Sequence, residues 1–313
     1  MTHKKYTHRN FYTGFVVLFI LILAFAFLQS ASLHEVSEIK FYKIGHRGAR
    51  GLMPENTIPA FEKGISVGAN TIEFDVHITK DMQVVIYHDA SLNPEYTIKP
   101  DGSEFQKSER KQFTLFQMNY EDIRRFIIGA KRYETFPNQE LVRTYAPLLT
   151  EMIDSIEAFT HKNHIQNITY LLEIKSSPKT DGFEQPPPDE YVDILMNELK
   201  PYLRKLKGRL FIQSFDIRPL QILHRDFPDI PLGFLTSDKD KEFDQNLKEL
   251  GFVPSLYNPE YHLVTQELIY RCHQQGIKIF PWTVNDPDEI SRLMNLKVDG
   301  IITDYPNLFN ELK

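Results

Sequence analysis

The chain has 313 residues, 42% hydrophobic and 25% charged, with a formal net charge of −6. That is a globular composition with length for one large domain or two small ones, and its weakly acidic balance lacks the clustered basic face of a nucleic-acid binder. A single cysteine, Cys272, excludes an internal disulfide framework and any zinc site built on several thiolates.

Lys4, Lys5 and Arg9 precede an uncharged apolar stretch at 11–28, and the first acid after it is Glu35. At 1.5 Å of rise per residue this stretch spans about 27 Å as a helix, close to the roughly 30 Å hydrocarbon thickness of a bilayer. The excess of positive charge ahead of it predicts a cytoplasmic N-terminus at 1–10, a transmembrane anchor at 11–28, a connector at 29–40 and an extracytoplasmic domain at 41–313. A cleaved signal peptide is the competing reading, with small residues at 30–32 near a possible cut. The apolar region is longer than the about 7–15 residues usual for such peptides, which favours the anchor. Either way the rest of the chain is exported, to the periplasm or the cell exterior.

From residue 41 onward short apolar runs alternate with helical stretches. Strands are predicted at 41–46, 71–78, 83–88, 169–175, 209–215, 231–235, 278–284 and 300–304. Helices are predicted at 57–69, 118–130, 149–163, 189–206, 217–226, 240–250, 264–275 and 286–296. Asp286 followed by Pro287 and two acids is a well-formed helix start. Strands alternating with helices, with no dinucleotide-binding glycine fingerprint, predict an α/β fold of the (β/α)8 barrel type. Only "TKDMQ" separates the second and third strands, too short for a helical crossover, so this pair is expected as a hairpin-like exception. Two insertions interrupt the pattern, at 89–148 and at 176–190, and the prolines of the second should hold it extended.

The C-terminal ends of these strands carry His46 and Arg47, Glu73 and Asp75, His88, Glu173 and Lys175, then Gln213 and Trp282. In a barrel of this type catalytic groups come from those ends. Glu73 and Asp75 are two apart on a strand and so share a face, with backbones about 6.6 Å apart. Burying them side by side is costly unless positive charge lies between them. With Glu173 they form a set of hard oxygen ligands suited to Mg²⁺ or Ca²⁺. The alternative, a structural ion network with Arg47 and Lys175, suits a lone pair of acids better than this concentration of acids, histidines and bases.

The ordered set "GHRGARGLMPENTIPAF", "IEFDVHITKDMQVVIYHD", "LLEIK", "QSF", "PWTVND" and "DGIITDYP" closely resembles the glycerophosphodiester phosphodiesterase family, over about residues 43–309. The resemblance implies a distorted (β/α)8 TIM barrel and divalent-metal-dependent hydrolysis of glycerophosphodiesters to glycerol 3-phosphate and an alcohol. It implies His46 and His88 as general acid and base. Glu73, Asp75 and Glu173 would be ligands of one divalent cation, Ca²⁺ or Mg²⁺ with Mn²⁺ also admissible. Arg47 and Lys175 would hold phosphate oxygens, and Gln213 and Trp282 would line the substrate. Glu55 and Asn56 would shape the loop after the first strand. One departure from the family pattern, "APLLTEMID" at 146–154, touches a helix start and leaves these residues alone.

The residue types suit that chemistry. Charge building on phosphate oxygens can be met by a metal with Arg47 and Lys175. Two histidines near neutral pH can take a proton from an attacking hydroxyl and give one to a leaving alkoxide. The nucleophile is open between water and the glycerol's own hydroxyl. Two rivals remain: a related barrel acting on lysophospholipids or sphingolipids, and a silent barrel that binds a lipid headgroup or membrane partner.

Overall fold

The structure, a computed structural model, describes residues 41–311. The anchor and connector expected at 1–40 lie outside the described residues. Among the described residues no helix is long and apolar enough to cross a membrane.

Strand β1 (Tyr42–Gly45) leads through helix α1 (Ile58–Ser66) to β2 (Thr71–Ile78), whose hairpin partner is β3 (Val84–Ile86). The first insertion follows, with a two-stranded ribbon of β4 (Thr97–Ile98) and β5 (Ile127–Ile128). Then α2 (Leu149–Lys162), β6 (Thr169–Ile174), α3 (Pro188–Leu199), β7 (Leu210–Ser214), α4 (Ile217–Asp226) and β8 (Leu232–Thr236) alternate. The chain ends with α5 (Phe243–Leu250), β9 (Leu256–Pro259), α6 (Gln266–Gln274), β10 (Lys278–Ile279), α7 (Pro287–Leu296) and β11 (Gly300–Thr303). Parallel strands run in the order β10-β9-β8-β7-β6-β2-β1-β11. The gap between β10 and β11 is bridged by backbone hydrogen bonds from Asp299 to Ile279, Ile302 to Pro281 and Val284 to Ile302. The result is a nearly closed barrel of eight parallel strands.

The expected hairpin exception is present: β3 pairs antiparallel with β2 and stands outside the barrel order. The eighth barrel strand is therefore β9, in the stretch "VPSLYNP" that carries no assignment from the sequence; it is short and bounded by prolines. The helix expected at 118–130 is a single turn, Tyr120–Ile123, followed by β5. The helix expected at 189–206 starts at Pro188 and ends at Leu199, giving way to turns. The second insertion is not simply extended. Gln185 and the Arg218 guanidinium, which grips both Asp181 and Asp216, fold it into turns.

Alternation along β2 explains both the core and the site. Ile72, Phe74, Val76 and Ile78 face the helices, where Phe74 meets Phe61 of α1 edge to face at 6.0 Å. Truncating a buried Phe such as Phe74 to Ala costs about 3–5 kcal/mol. The other face of β2 carries Glu73, Asp75 and His77. A second cluster, with Tyr42, Ile44, Leu171, Phe211, Leu256, Phe280 and Ile302 buried together, draws on the opposite faces of other barrel strands. The first insertion has its own core, including Tyr87, Tyr96, Phe105 and Phe126.

Register sets the height of the site. Gly45, the last residue of β1, lies opposite both Ile72 and Thr303, so His46, Glu73 and Asp304 all emerge one residue beyond that level. Asp75 is paired with Glu173, and Glu173 in turn with Gln213.

Candidate active site

The loop after β1 is shaped by glycine and by two left-handed residues. Gly48 has φ +87°, and a Cβ there would lie 2.6 Å from the Ala60 carbonyl carbon, so only glycine lets the loop press on α1. Arg47 (φ +49°) and Asn56 (φ +56°) adopt a conformation that costs a non-glycine residue about 1–2 kcal/mol. Both are held by what they bond. The Arg47 amide donates to Glu73 Oε2 at 2.9 Å, and Asn56 Nδ2 donates to Asp75 Oδ2 at 2.8 Å. Thr57 then caps α1 by accepting from the Ala60 amide. Asn56 thus shapes the loop, as the sequence reading held, and also orients a carboxylate.

Glu73, Asp75 and Glu173 offer oxygens within 4.8 Å of one another, all buried. Burial pushes the Glu73 carboxyl well above its ordinary range, and the charges of Asp75 and Glu173 push it further. Burial likewise raises Glu173, with Lys175 opposing and Asp75 adding to the rise. For Asp75 burial is outweighed by Lys175, His88 and Arg47, which hold it well below the carboxylate range. Lys175 Nζ bridges Asp75 Oδ1 at 3.0 Å and Glu173 Oε1 at 2.6 Å, and Arg47 Nη1 donates to Glu55 Oε1 at 2.7 Å.

These donors fit a divalent cation on three counts. Around the pocket the carboxyl groups of Glu55, Glu73, Asp75, Glu173 and Asp304 face the cations Arg47, Arg50 and Lys175, two more acids than bases. Asp75 Oδ1 is buried and has no aligned hydrogen bond, although Lys175 is close. The donor atoms are all carboxylate oxygens, the choice of a hard cation. Glu73, Asp75 and Glu173 are therefore a buried acidic triad able to hold a divalent metal.

The two histidines differ in setting. His46 Nδ1 donates to Asp304 Oδ1 at 2.7 Å, and its Nε2 lies 4.0 Å from Glu73 Oε2. Burial lowers His46 to about 4; Asp304 opposes this, while Arg47 and Arg50 reinforce it. Burial opposes ionisation of Asp304 as well, but His46 and Arg50 hold its carboxyl far below the usual range. An ionised carboxylate only accepts, so His46 carries its proton on Nδ1 and leaves Nε2 bare. His88 Nδ1 donates to Asp89 Oδ1 at 2.8 Å, which leaves its Nε2 bare in the neutral form too.

A cavity of ≈ 250 Å³ gathers His46, Arg47, Glu73, His88, Glu173, Lys175, Gln213 and Trp282 on its walls. Asp75 supports this wall from behind through Lys175. Gln213 Nε2 donates to Glu73 Oε1 at 3.4 Å, while Asn258 Nδ2 donates to Gln213 Oε1 at 2.7 Å. Trp282 Nε1 donates to the Asn258 carbonyl at 2.8 Å, and its ring meets Phe215 edge-on at 5.4 Å. All nine candidate residues thus belong to one constellation. The sequence reading missed Arg50 and Asp304, on the site's His46 side, and Asn258. "TDYP" at a strand end carried a signal for Asp304; Asn258 had none, since its strand went unrecognised.

The sequence profile described as the glycerophosphoryl diester phosphodiesterase family matches residues 46–308, and the chain belongs to that family. A glycerophosphodiester phosphodiesterase of Caldanaerobacter subterraneus is 31% identical over 273 residues, covering 86% of this chain and 96% of its own length. A solved structure from Silicibacter pomeroyi carrying the family's name has a TM-score of 0.74 at 30% identity, covering 86% of this chain and 92% of its own. Lysophospholipase D GDPD1 of Rattus norvegicus is 24% identical over 312 residues, 95% of this chain and 93% of its own.

Proposed function

We propose that this chain hydrolyses glycerophosphodiesters to glycerol 3-phosphate and an alcohol, with a divalent cation held by Glu73, Asp75 and Glu173 and with His46 and His88 as general base and acid. The observation that carries this is the pocket itself. Two histidines whose Nε2 atoms have no hydrogen-bond partner share one small cavity with Glu73 and Glu173 of the acidic triad, Arg47 and Lys175. Mg²⁺ and Ca²⁺ both suit a carboxylate triad, and Mn²⁺ is a third candidate.

When bound, the cation would act as a Lewis acid that offsets charge on the phosphate oxygens. Arg47 and Lys175, both on the cavity wall, would hold those oxygens. His46, buried and neutral, takes the proton of the attacking hydroxyl on Nε2 as oxygen bonds to phosphorus. As the phosphorus–oxygen bond to the alcohol breaks, protonated His88 gives its proton to the departing oxygen. Trp282 and Gln213 flank the organic portion of the substrate. General acid–base transfer of this kind contributes about 10²–10⁴-fold each.

The apolar wall of Phe215, Leu235, Trp282 and Ile302 favours a second reading, a lysophospholipid whose acylated glycerol stays on the phosphate while the headgroup alcohol departs. Phe215 is 43% exposed at the rim, where an acyl glycerol would pass, and a relative is named for lysophospholipase D activity. The charge asymmetry about residues 11–28 supports a membrane-anchored enzyme working outside the cytoplasm.

The test is release of glycerol 3-phosphate from glycerophosphocholine by the purified protein, with and without EDTA, and again with His46→Ala. EDTA-sensitive release lost in His46→Ala is expected. No release, with turnover of lysophosphatidylcholine instead, would transfer the assignment to the second reading.

A further inference from the structure

Each catalytic histidine is the first member of a chain that ends in the first insertion. His88 Nδ1 donates to Asp89 Oδ1, and Asp89 Oδ2 is gripped by Arg110 Nη2 at 2.7 Å and by Asn93 Nδ2 at 3.0 Å. Arg110 stands on the 3-10 helix Lys107–Phe113 of the insertion. On the other side His46 Nδ1 donates to Asp304 Oδ1, which also accepts from Arg50 Nε at 2.9 Å, while Arg50 Nη2 reaches Asp304 Oδ2 at 3.1 Å. The Arg50 guanidinium lies 4.6 Å from the ring centre of Phe136, and the Arg50 carbonyl accepts from Gln139 Nε2; both partners belong to the insertion.

We infer that the insertion at 89–148 is a positioning element for both histidines, acting through the chains His88–Asp89–Arg110 and His46–Asp304–Arg50, with Arg50 in turn seated on Phe136. The physical reason is common to the two. A carboxylate fixes a histidine's tautomer only while it stays ionised and pointed at Nδ1. An arginine across its second oxygen does both, since it offsets the charge and removes the freedom to rotate. Burial opposes ionisation of Asp89, yet the His88 bond, Arg110 and Asn93 together hold its carboxyl down at about 2. A loop that served only to cover the pocket would have no need to reach the far side of Asp89 or to seat the arginine that bonds Asp304. The insertion has a core of its own, so the arginine contacts rest on a packed unit.

This inference rests on the two-histidine reading, and the test separates them. The Arg110 chain is the one to probe, because Arg110 is half exposed and its loss should leave the fold intact. The kinetics of glycerophosphocholine hydrolysis would be measured at saturating Mg²⁺ for Asp89→Asn, Arg110→Gln, the double variant and Arg110→Lys, with circular dichroism to verify folding. Asp89→Asn is expected to lower kcat about 10- to 100-fold. Arg110→Gln should lower it about 3- to 5-fold, in keeping with a half-exposed ion pair, with KM nearly unchanged. If Arg110 acts through Asp89, the double variant is no slower than Asp89→Asn, and Arg110→Lys restores most of the loss. An unchanged kcat in Arg110→Gln, a change confined to KM, or fully additive losses would overturn the inference. His88→Ala in the same assay reports on the reading beneath it. Activity surviving His88→Ala removes both, whereas a dead His88→Ala beside a silent Arg110→Gln removes the insertion's role alone.

Discussion

Lys175 Nζ lies 2.6 Å from Glu173 Oε1, its neighbour but one on the same strand end, and it reaches across to Asp75 as well. A cation in that position holds two of the three triad carboxylates together, and it also stands where a bound metal would repel it. Burial works against its charge, but Asp75 and Glu173 outweigh burial and raise Lys175 above its ordinary value, so it stays protonated. Lys175→Met should therefore separate two properties. It removes a grip on the phosphate, lowering kcat by about 10²–10³-fold, while Mn²⁺ binding to the more negative triad stays equal or tightens. Calorimetric titration with Mn²⁺ checks the second part. Weakened Mn²⁺ binding at normal kcat would show that Lys175 builds the metal site and has no role in the chemistry.

The excess of acids in the pocket gives the metal a second measurable consequence. Repulsion among Glu73, Asp75 and Glu173 is relieved when a divalent cation binds the folded state alone. At a metal concentration 100 times Kd the gain is about 2.7 kcal/mol. For a domain of this size that raises Tm by roughly 5–10 °C. Glu73→Gln should raise the metal-free Tm slightly, because it removes a buried carboxyl whose ionisation burial and two neighbouring carboxylates oppose, and should abolish most of the metal-induced rise. Differential scanning calorimetry with EDTA and with Mg²⁺ or Ca²⁺ decides it, and a metal-independent Tm in the native protein would count against the triad as a ligand set.

What was legible in the sequence divides by physical cause. The ends of β1, β2 and β6 carry polar residues against long apolar runs, and a charged residue in such a run announces itself, so Glu73, Asp75, His46 and Glu173 could be read directly. Asp286 likewise revealed a helix start that the structure caps as expected, its side chain accepting from the Asp288 and Glu289 amides. β9 escaped because four residues ending in proline give no alternation to detect, and its pairing is supplied by β8 and β10. The helix expected at 118–130 failed for the opposite reason. Its apolar spacing is real, but Ile123, Phe126 and Ile128 serve the insertion's own core, which no local pattern separates from the barrel. Arg50 and Asp304 meet across 254 positions of chain, a contact that only closure of β11 against β1 creates.

Asn258 follows from that missed strand. It is buried, donates to Gln213 Oε1, and its carbonyl accepts from Trp282 Nε1. Gln213 is thereby turned to donate toward Glu73. Asn258→Ala should cost about 1–3 kcal/mol in urea unfolding, because Gln213 is left without its buried partner. It should also weaken metal affinity about tenfold, since an outer group that orients a ligand is lost. Stability falling with no change in Mn²⁺ affinity would restrict Asn258 to a packing role.

His77 supplies the pH dependence. It is buried on the same strand face as Glu73 and Asp75, its Nε2 donates to the His88 carbonyl at 3.0 Å, and its Nδ1 has no partner. Burial lowers it to about 4; the carbonyl bond opposes this and Lys175 reinforces it. In the unfolded chain a histidine titrates near 6.5. Between those values the unfolded state binds a proton that the folded state refuses, so stability falls as pH drops from about 6.5 to about 4, by up to roughly 3 kcal/mol. His46 contributes in the same direction and window. His77→Gln keeps a side-chain donor for the His88 carbonyl but cannot titrate. Urea unfolding in EDTA at pH 7, 5.5 and 4.5 should give a clearly shallower pH slope for His77→Gln than for the native protein, with stability at pH 7 changed by about 1 kcal/mol or less for the exchanged hydrogen bond. Identical slopes in the two proteins would mean that His77 is protonated in the fold and that its hydrogen bond to His88 has been assigned to the wrong charge state.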